Sequence, residues 1–149
     1  FFLMFIGGCA GSTTCGIKVF RFQILYAAAK TQFENLSHPH GVFIPYYNGN
    51  PISDEVMKSV LSFFFVFGMT FALLAIGLAL LELDFLTSVS GAASAIANVG
   101  PGLGSVIGPD GNYRSLPDAA KWLLSIGMLL GRLELFTVMV LFTRAFWRA

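Results

Sequence analysis

The chain is 149 residues long, with 56% hydrophobic and only 11% charged residues, and its mean hydropathy is +0.75. A soluble domain usually carries about 25% charged residues, so this chain has too little charge to cover a water-facing surface. Its net charge of +1 gives no basic field of the kind that binds nucleic acid. The composition excludes a soluble enzyme, a disordered tail and a disulfide scaffold, and it predicts an integral membrane protein.

The N-terminal end of the sequence lies within an apolar stretch. It opens on Phe1 and has no basic region of the kind that starts a signal peptide, so we expect it to be an internal piece of a longer protein. Cys9 and Cys15 match neither a CxxC pair nor a zinc spacing, and we interpret them as small buried hydrophobic residues.

The first predicted element is a transmembrane helix that is broken at membrane depth. Residues 1–17 are uncharged, but their second half is crowded with glycine, which costs up to about 1 kcal/mol relative to alanine inside a helix. Irregular backbone at this depth is tolerated only where it lines a water-filled cavity or is buried in protein. The alternative is close packing of an intact helix through Gly7 and Gly11, a GxxxG pair. The residues of the candidate loop are Gly7, Gly8, Gly11, Ser12, Thr13, Thr14, Cys15 and Gly16.

A polar connection separates this helix from the next one. Residues 18–36 alternate apolar and polar side chains, which predicts an amphipathic helix leaving the membrane. Residues 37–52 follow, and their Asn48-Gly49 step predicts a short hairpin. His38 and His40 are two histidines without a third ligand nearby, so they indicate a turn rather than a metal site.

A complete transmembrane helix is predicted after the connection. Ser53 supplies a capping oxygen, and Asp54 and Glu55 place acids on the positive end of the helix dipole. Residues 59–81 carry no charge and are long enough to cross a bilayer.

The third segment is also uncharged, but it is not a typical span. Residues 86–97 are small and weakly polar, and residues 98–104 are a run of helix breakers. A lipid-facing span with such a broken backbone would leave amides unsatisfied in hydrocarbon. We therefore predict a re-entrant loop, in which a short helix enters part way, stops at Asn98 and returns as extended chain.

The last predicted element is a span over residues 122–143. Ser115 and the following residues resemble a capping box and predict the helix start. More Lys and Arg residues flank the 37–52 connection and the C-terminus than the other side. The positive-inside rule then places both in the cytoplasm, and the re-entrant loop enters from outside.

The tip of the re-entrant loop is the predicted functional site. A cation that crosses a membrane exchanges its hydration shell for oxygens of similar strength, and backbone carbonyls supply them in potassium channels with Thr-Val-Gly-Tyr-Gly filters. Glycine allows positive φ, so that successive carbonyls can point toward one axis. We expect the carbonyls of Val99 and Gly100 to bind a cation; the alternative is a simple packing turn. The candidate filter residues are Asn98, Val99, Gly100, Pro101 and Gly102.

Arg132 is a charged residue near the middle of the last span. Insertion scales give a free energy of roughly +2.5–3.5 kcal/mol for placing an arginine at this depth in a bilayer. Its side chain therefore needs a water-filled pathway or a partner. Glu134, two residues on, lies on another helix face. We expect Arg132 to face the pore near the broken helix and to help set cation flux. The alternative is a structural pairing with an acid elsewhere in the longer protein.

Three motifs together resemble the TrkH-type potassium transporters of the bacterial Trk/Ktr superfamily. They are Met4-Phe5-Ile6-Gly7-Gly8-Cys9-Ala10-Gly11-Ser12-Thr13, Asn98-Val99-Gly100-Pro101-Gly102-Leu103-Gly104 and Gly131-Arg132-Leu133-Glu134-Leu135-Phe136-Thr137. The resemblance implies an all-α integral membrane protein of the bacterial inner membrane, with four helix–pore-loop–helix repeats around one pore. Residues 1–36 would be the broken second helix of repeat three and its cytoplasmic extension, 37–52 the connection, and 53–149 the fourth repeat.

The resemblance also implies roles and partners. Gly100 would be the fourth filter glycine, the break over residues 7–16 the intramembrane gating loop, and Arg132 the basic residue that faces it. Potassium would be the substrate, with no cofactor, and the full-length protein would form a homodimer that binds a cytosolic, TrkA-like nucleotide-binding ring. The family loop usually has Ser-Thr-Gly-Gly-Gly-Ile-Lys, so this chain departs from it at Thr14 and Cys15.

Two other functions compete with this interpretation. A secondary transporter of a small solute can also use re-entrant hairpins, but it would need more polar side chains than Asn98 and Ser105 near the loop tip. An intramembrane enzyme built on Ser90 or Ser94 would lack a histidine base, because the predicted spans contain none.

Overall fold

The computed structural model describes residues 1–9, 15–38, 41 and 43–132. Within these residues the chain folds into helices joined by a small hairpin and short turns. The helices are α1 (Val19–Ser37), α2 (Asp54–Ala79), α3 (Phe85–Ala97) and α4 (Asp118–Arg132), and the hairpin strands are β1 (Tyr46–Tyr47) and β2 (Asn50–Pro51). Two 3-10 turns, Phe2–Phe5 and Tyr113–Ser115, complete the described secondary structure.

Among the described residues, α2 is the one helix that is long and apolar enough to cross a membrane. Ser53 precedes it in an extended conformation, with φ −71° and ψ 150°, and Asp54 and Glu55 occupy its first turn. The helix therefore begins at the predicted position, but the Ser53 side chain makes no capping hydrogen bond, so the capping role predicted for its oxygen is wrong. The helix ends two residues before the last uncharged residue of the predicted span, Leu81.

The two faces of α2 have different environments. The inner face is buried in the hydrophobic core and carries Phe63, Phe67, Leu74 and Leu78. The opposite face carries large apolar side chains spaced three or four residues apart, and they are exposed. This outer stripe consists of Leu61, Phe65, Met69, Leu73 and Ile76.

Helix α3 lies at the centre of the described unit, and small side chains fill it. Ala92, Ala93 and Ala95 have no exposed surface, and α3 packs against both α2 and α4. On α4, a Cβ added to Gly127 would lie 3.3 Å from the Cβ of Ala95. The absence of larger side chains at this contact lets the backbones of α3 and α4 approach closely.

Helix α1 packs along the first half of α2. The rings of Phe22 and Phe64 meet edge to face with centroids 5.5 Å apart, and the Arg21 guanidinium lies 3.7 Å from the centroid of the Phe63 ring. The hairpin that follows α1 turns at Asn48 and Gly49, both with positive φ. It is the two-residue turn that the Asn-Gly step predicts.

The helix start predicted at Ser115 is wrong. Ser115 ends the 3-10 turn, in which the Asn112 side chain accepts the backbone N–H of Arg114. Leu116 is then extended, with φ −72° and ψ 150°, because a residue before proline is disfavoured in the α region. Helix α4 therefore begins only at Asp118.

Candidate functional site

Helix α3 stops at Asn98, as the sequence predicts. Asn98 adopts the left-handed conformation, with φ 53° and ψ 42°, which asparagine tolerates better than most residues. The backbone amide of Val99 donates to the carbonyl of Ser94 at 3.1 Å. This bond closes the last turn and directs the following residues away from the helix axis.

Residues 98–102, which we call the tip segment, leave α3 as irregular, non-helical chain. Gly100 has φ +108°, and no heavy atom of the described residues lies within 4 Å of the position that a Cβ would take. The conformation favours glycine, and the space around Gly100 is open. At the end of the segment the buried Gly102 donates its N–H to the carbonyl of Ile107 at 2.7 Å, so the chain turns back toward α3.

Two serines on α3 hold the returning chain. Ser94 Oγ accepts the N–H of Gly100 at 3.1 Å, and Ser90 Oγ accepts the N–H of Leu103 at 2.9 Å. Both serines have no exposed surface. Their spacing of four residues places both hydroxyls on one face of α3. From the sequence alone these serines have no predicted role in the filter. Their four-residue spacing on a predicted helix was the signal that could have identified them.

Helix α4 lies against the C-terminal end of α3. The side-chain amide of Asn98 donates to the carbonyl of Met128 at 3.0 Å. A Cβ added to Gly131 would overlap the carbonyl of Ile96 and would lie 2.9 Å from Asn98 Nδ2. Gly127 and Gly131, spaced as a GxxxG pair, therefore form a tight helix contact.

The two ends of the candidate gating loop come together. Gly7 donates its N–H to the carbonyl of Ile17 at 2.9 Å, and Ile17 donates to the carbonyl of Phe5 at 2.8 Å. Gly16 has φ +88°. The described residues on either side of the loop are thus paired in parallel rather than continuous in one helix. Gly11, Ser12, Thr13 and Thr14 lie outside the described residues.

Arg132 connects the loop to the end of α4. Its Nη1 donates to Cys15 Sγ at 3.6 Å, and it directly follows Gly131, which lies against the end of α3. Cys15 is partly buried and Cys9 is exposed, so the expectation that both are buried is wrong. The structure brings together Arg132 and one end of the candidate gating loop. The tip segment contacts α4 at Met128, one helix turn before Arg132. Glu134 lies outside the described residues.

The backbone at the end of α3 contributes to the electrostatics of the tip segment. The C-terminal end of a helix carries about half a negative charge, and α3 ends at this segment. Among the described residues, no three His, Cys, Asp or Glu side chains are grouped so that they could hold a metal ion. His38 is exposed, and His40 lies outside the described range. What the tip segment offers a cation is peptide carbonyl oxygen.

Comparison with known proteins defines the class. Residues 1–148 match the family model TrkH, described as a cation transport protein, so the class of the chain is that of membrane proteins of cation transport. The chain belongs to the TrkH family.

Individual relatives agree with this assignment. The chain is 56% identical over 148 residues to the Trk system potassium uptake protein TrkI of Halomonas elongata and 38% identical over 148 residues to the Trk system potassium uptake protein TrkH of Vibrio parahaemolyticus. The crystal structure of the potassium transporter TrkH from Vibrio parahaemolyticus superposes with a TM-score of 0.87 at 36% identity, covering 98% of this chain.

The match covers a defined share of these proteins. Each alignment includes 99% of this chain but only 30% of the relative, and the chain covers 31% of the solved transporter. The relatives are transport proteins and not enzymes.

Proposed function

We propose that this chain forms one repeat of a bacterial potassium uptake transporter, and that its tip segment selects the ion. The backbone carbonyls of Val99 and Gly100 would replace part of the hydration shell of K⁺. A re-entrant entry of α3 from the outer face, part way into the bilayer, would bring the segment to the pore.

The observation that carries this proposal is the way α3 ends. The helix stops after 13 residues, too short to cross a bilayer, and it is continued by irregular chain in which Gly100 has φ +108°. The negative end of the helix dipole faces the segment and favours a cation there. Gly100 is exposed and open, which supports access by an ion.

A gate beneath this filter is the second part of the proposal. Residues 7–16 would form the intramembrane gating loop, and Arg132 would face it. The contact from Arg132 Nη1 to Cys15 Sγ supports this role. A positive charge there would act on cation flux by repulsion, or by holding the loop through hydrogen bonds.

The cellular setting of the proposal follows from the family and the relatives. The intact protein would be a multi-pass protein of the bacterial inner membrane, surrounded by lipid. It would form a homodimer and bind a cytosolic, TrkA-like nucleotide-binding ring. The name "Trk system" of the relatives supports a transport complex with further components.

The test is Gly100→Ser in the intact transporter. Serine is strained at φ +108° and would turn the Gly100 peptide out of place. We expect the preference for Rb⁺ over Na⁺ to fall roughly tenfold, the change that accompanies about 1.4 kcal/mol of differential binding. The measurement is the initial rate of Rb⁺ and Na⁺ uptake in potassium-starved cells, normalised to the amount of transporter in the membrane.

The chain offers a matched control for this substitution. Gly49 also has a positive φ, +81°, and a Cβ added to it would meet no heavy atom of the described residues within 4 Å, but it lies in the hairpin. Gly49→Ser should carry similar backbone strain and keep the ion preference. Unchanged uptake and preference in Gly100→Ser would reject the filter assignment.

A transporter that recognises a small organic solute would need polar side chains free at the tip segment. The Asn98 amide donates to the Met128 carbonyl, and the Ser90 and Ser94 hydroxyls are bonded to the backbone. These side chains hold the segment in place, and this use of them favours the ion over the solute.

A further inference from the structure

Gly100 is held through both of its backbone polar groups. Its N–H donates to Ser94 Oγ at 3.1 Å, and its carbonyl accepts the Tyr113 hydroxyl at 2.5 Å. One partner comes from the helix before the tip segment and the other from the chain after it. The two peptide groups on either side of the Gly100 Cα are therefore each held by a different element.

The position of Tyr113 is itself determined by neighbouring residues. Ile107 before it is 1% exposed, and Leu116 after it is 4% exposed. Between these two anchors, Asn112 caps the 3-10 turn that begins at Tyr113 by accepting the N–H of Arg114 at 3.0 Å. The Tyr113 ring is half-buried against the hydrophobic core. The hydroxyl consequently reaches Gly100 from an anchored turn.

The chemistry of this hydrogen bond suits an ion ligand. A carbonyl oxygen has two lone pairs, so a donor on one leaves the other for a cation. Pro101 fixes its own φ, so the direction of the Gly100 carbonyl depends on rotation about ψ of Gly100, which glycine itself restrains little. A phenol donor restricts that rotation and keeps the oxygen in one direction.

We propose that Tyr113 is a positioning residue for ion selection, which acts by fixing the direction of the Gly100 carbonyl. Tyr113 does not touch the ion. The proposal rests on the assignment of the tip segment as the filter, and it adds a side chain from outside that segment to the residues that determine specificity.

The test is Tyr113→Phe in the intact transporter, which removes one oxygen and keeps the ring. The loss of about one hydrogen bond should raise the KM for Rb⁺ roughly 3- to 10-fold and lower the preference for Rb⁺ over Na⁺ by a similar factor. The maximal rate should change by less than about twofold, because the ring and its packing remain. The readouts are KM, maximal rate, Na⁺ competition and the thermal midpoint of the purified protein.

Tyr26→Phe is the matched control, because Tyr26 is 73% exposed on α1, away from the tip segment. It should change none of these quantities. A Tyr113→Phe protein with unchanged KM and preference would overturn the proposal, and so would one that loses only maximal rate or thermal stability.

The Gly100→Ser experiment distinguishes the filter assignment of the tip segment from the positioning role of Tyr113. If Gly100→Ser alters ion preference and Tyr113→Phe does not, the filter assignment stands and the role of Tyr113 is wrong. If neither variant alters ion preference, both are wrong.

Discussion

The side-chain amide of Asn98 donates a hydrogen bond to the carbonyl of Met128 at 3.0 Å. This bond ties the end of α3 to α4 one helical turn before Arg132. The tip segment and the residue proposed to face the gating loop are therefore attached to the same short stretch of α4. A shift of that stretch of α4 would move both the tip segment and Arg132.

The first prediction concerns the two roles of Asn98. Asn98→Ala should lower the free energy of unfolding by roughly 2–3 kcal/mol, because alanine is disfavoured in the left-handed region and cannot bond to Met128. Asn98→Gly should cost only about 1 kcal/mol, since glycine accepts the conformation and loses the hydrogen bond alone. Thermal midpoints of the intact protein in detergent should rank wild type above Asn98→Gly above Asn98→Ala. Equal midpoints for the two variants would show that the left-handed conformation contributes nothing.

The second prediction concerns the contact between α3 and α4. Gly131→Ala should destabilise the protein by roughly 1–3 kcal/mol, because the added methyl group would overlap the Ile96 carbonyl and force the helices apart. Gly68 is the control, since a Cβ there meets no heavy atom of the described residues within 4 Å. Gly68→Ala should be neutral or stabilising by up to about 1 kcal/mol through helix propensity. A Gly131→Ala protein as stable as Gly68→Ala would contradict the close approach.

The third prediction concerns Arg132 and the flux of the intact transporter. Arg132→Ala removes both the positive charge and the donor to Cys15, so we expect the maximal Rb⁺ uptake rate to rise several-fold, by an amount on the order of 1 kcal/mol of barrier. The ratio of Rb⁺ to Na⁺ uptake should stay the same. If Arg132→Ala changes the ratio of Rb⁺ to Na⁺ uptake and leaves the maximal Rb⁺ uptake rate unchanged, Arg132 acts in ion selection and not in gating.

Arg132→Lys distinguishes the two ways in which this residue could act. Lysine keeps the charge but lacks the planar, forked donor group of arginine. Wild-type flux in Arg132→Lys would favour repulsion, and flux equal to that of Arg132→Ala would favour hydrogen bonding to the loop. Both variants are compared at equal amounts of membrane-inserted protein.

The helices could be predicted from the sequence because charge and backbone preference mark their ends. Asp54 and Glu55 mark the start of α2, Asp84 precedes α3, and Asn98 ends it. These are local effects, which act within one turn of the residues that produce them. The helix start predicted at Ser115 was wrong because Pro117, which is also a local signal, disfavours the helical conformation at Leu116.

The interactions that hold the tip segment were harder to predict. The bond from Tyr113 to Gly100 spans 13 positions and that from Asn98 to Met128 spans 30. Both depend on the path of the chain between the partners, which no residue pattern encodes. Ser90 and Ser94 were visible as a pair on one helix face, but their acceptor role requires the returning chain to lie beside α3.

The outer stripe of α2 has a practical consequence. Alanine, serine and glycine make up most of α3, whereas the outer stripe of α2 exposes phenylalanine, leucine, methionine and isoleucine. Water-soluble proteins rarely expose a contiguous apolar stripe of large side chains, so this face fits lipid or another protein surface better than water. Purification of this unit should accordingly require an amphiphile that covers the outward rings and methyl groups, and dilution below the critical micelle concentration should precipitate it while its internal hydrogen bonds are still intact.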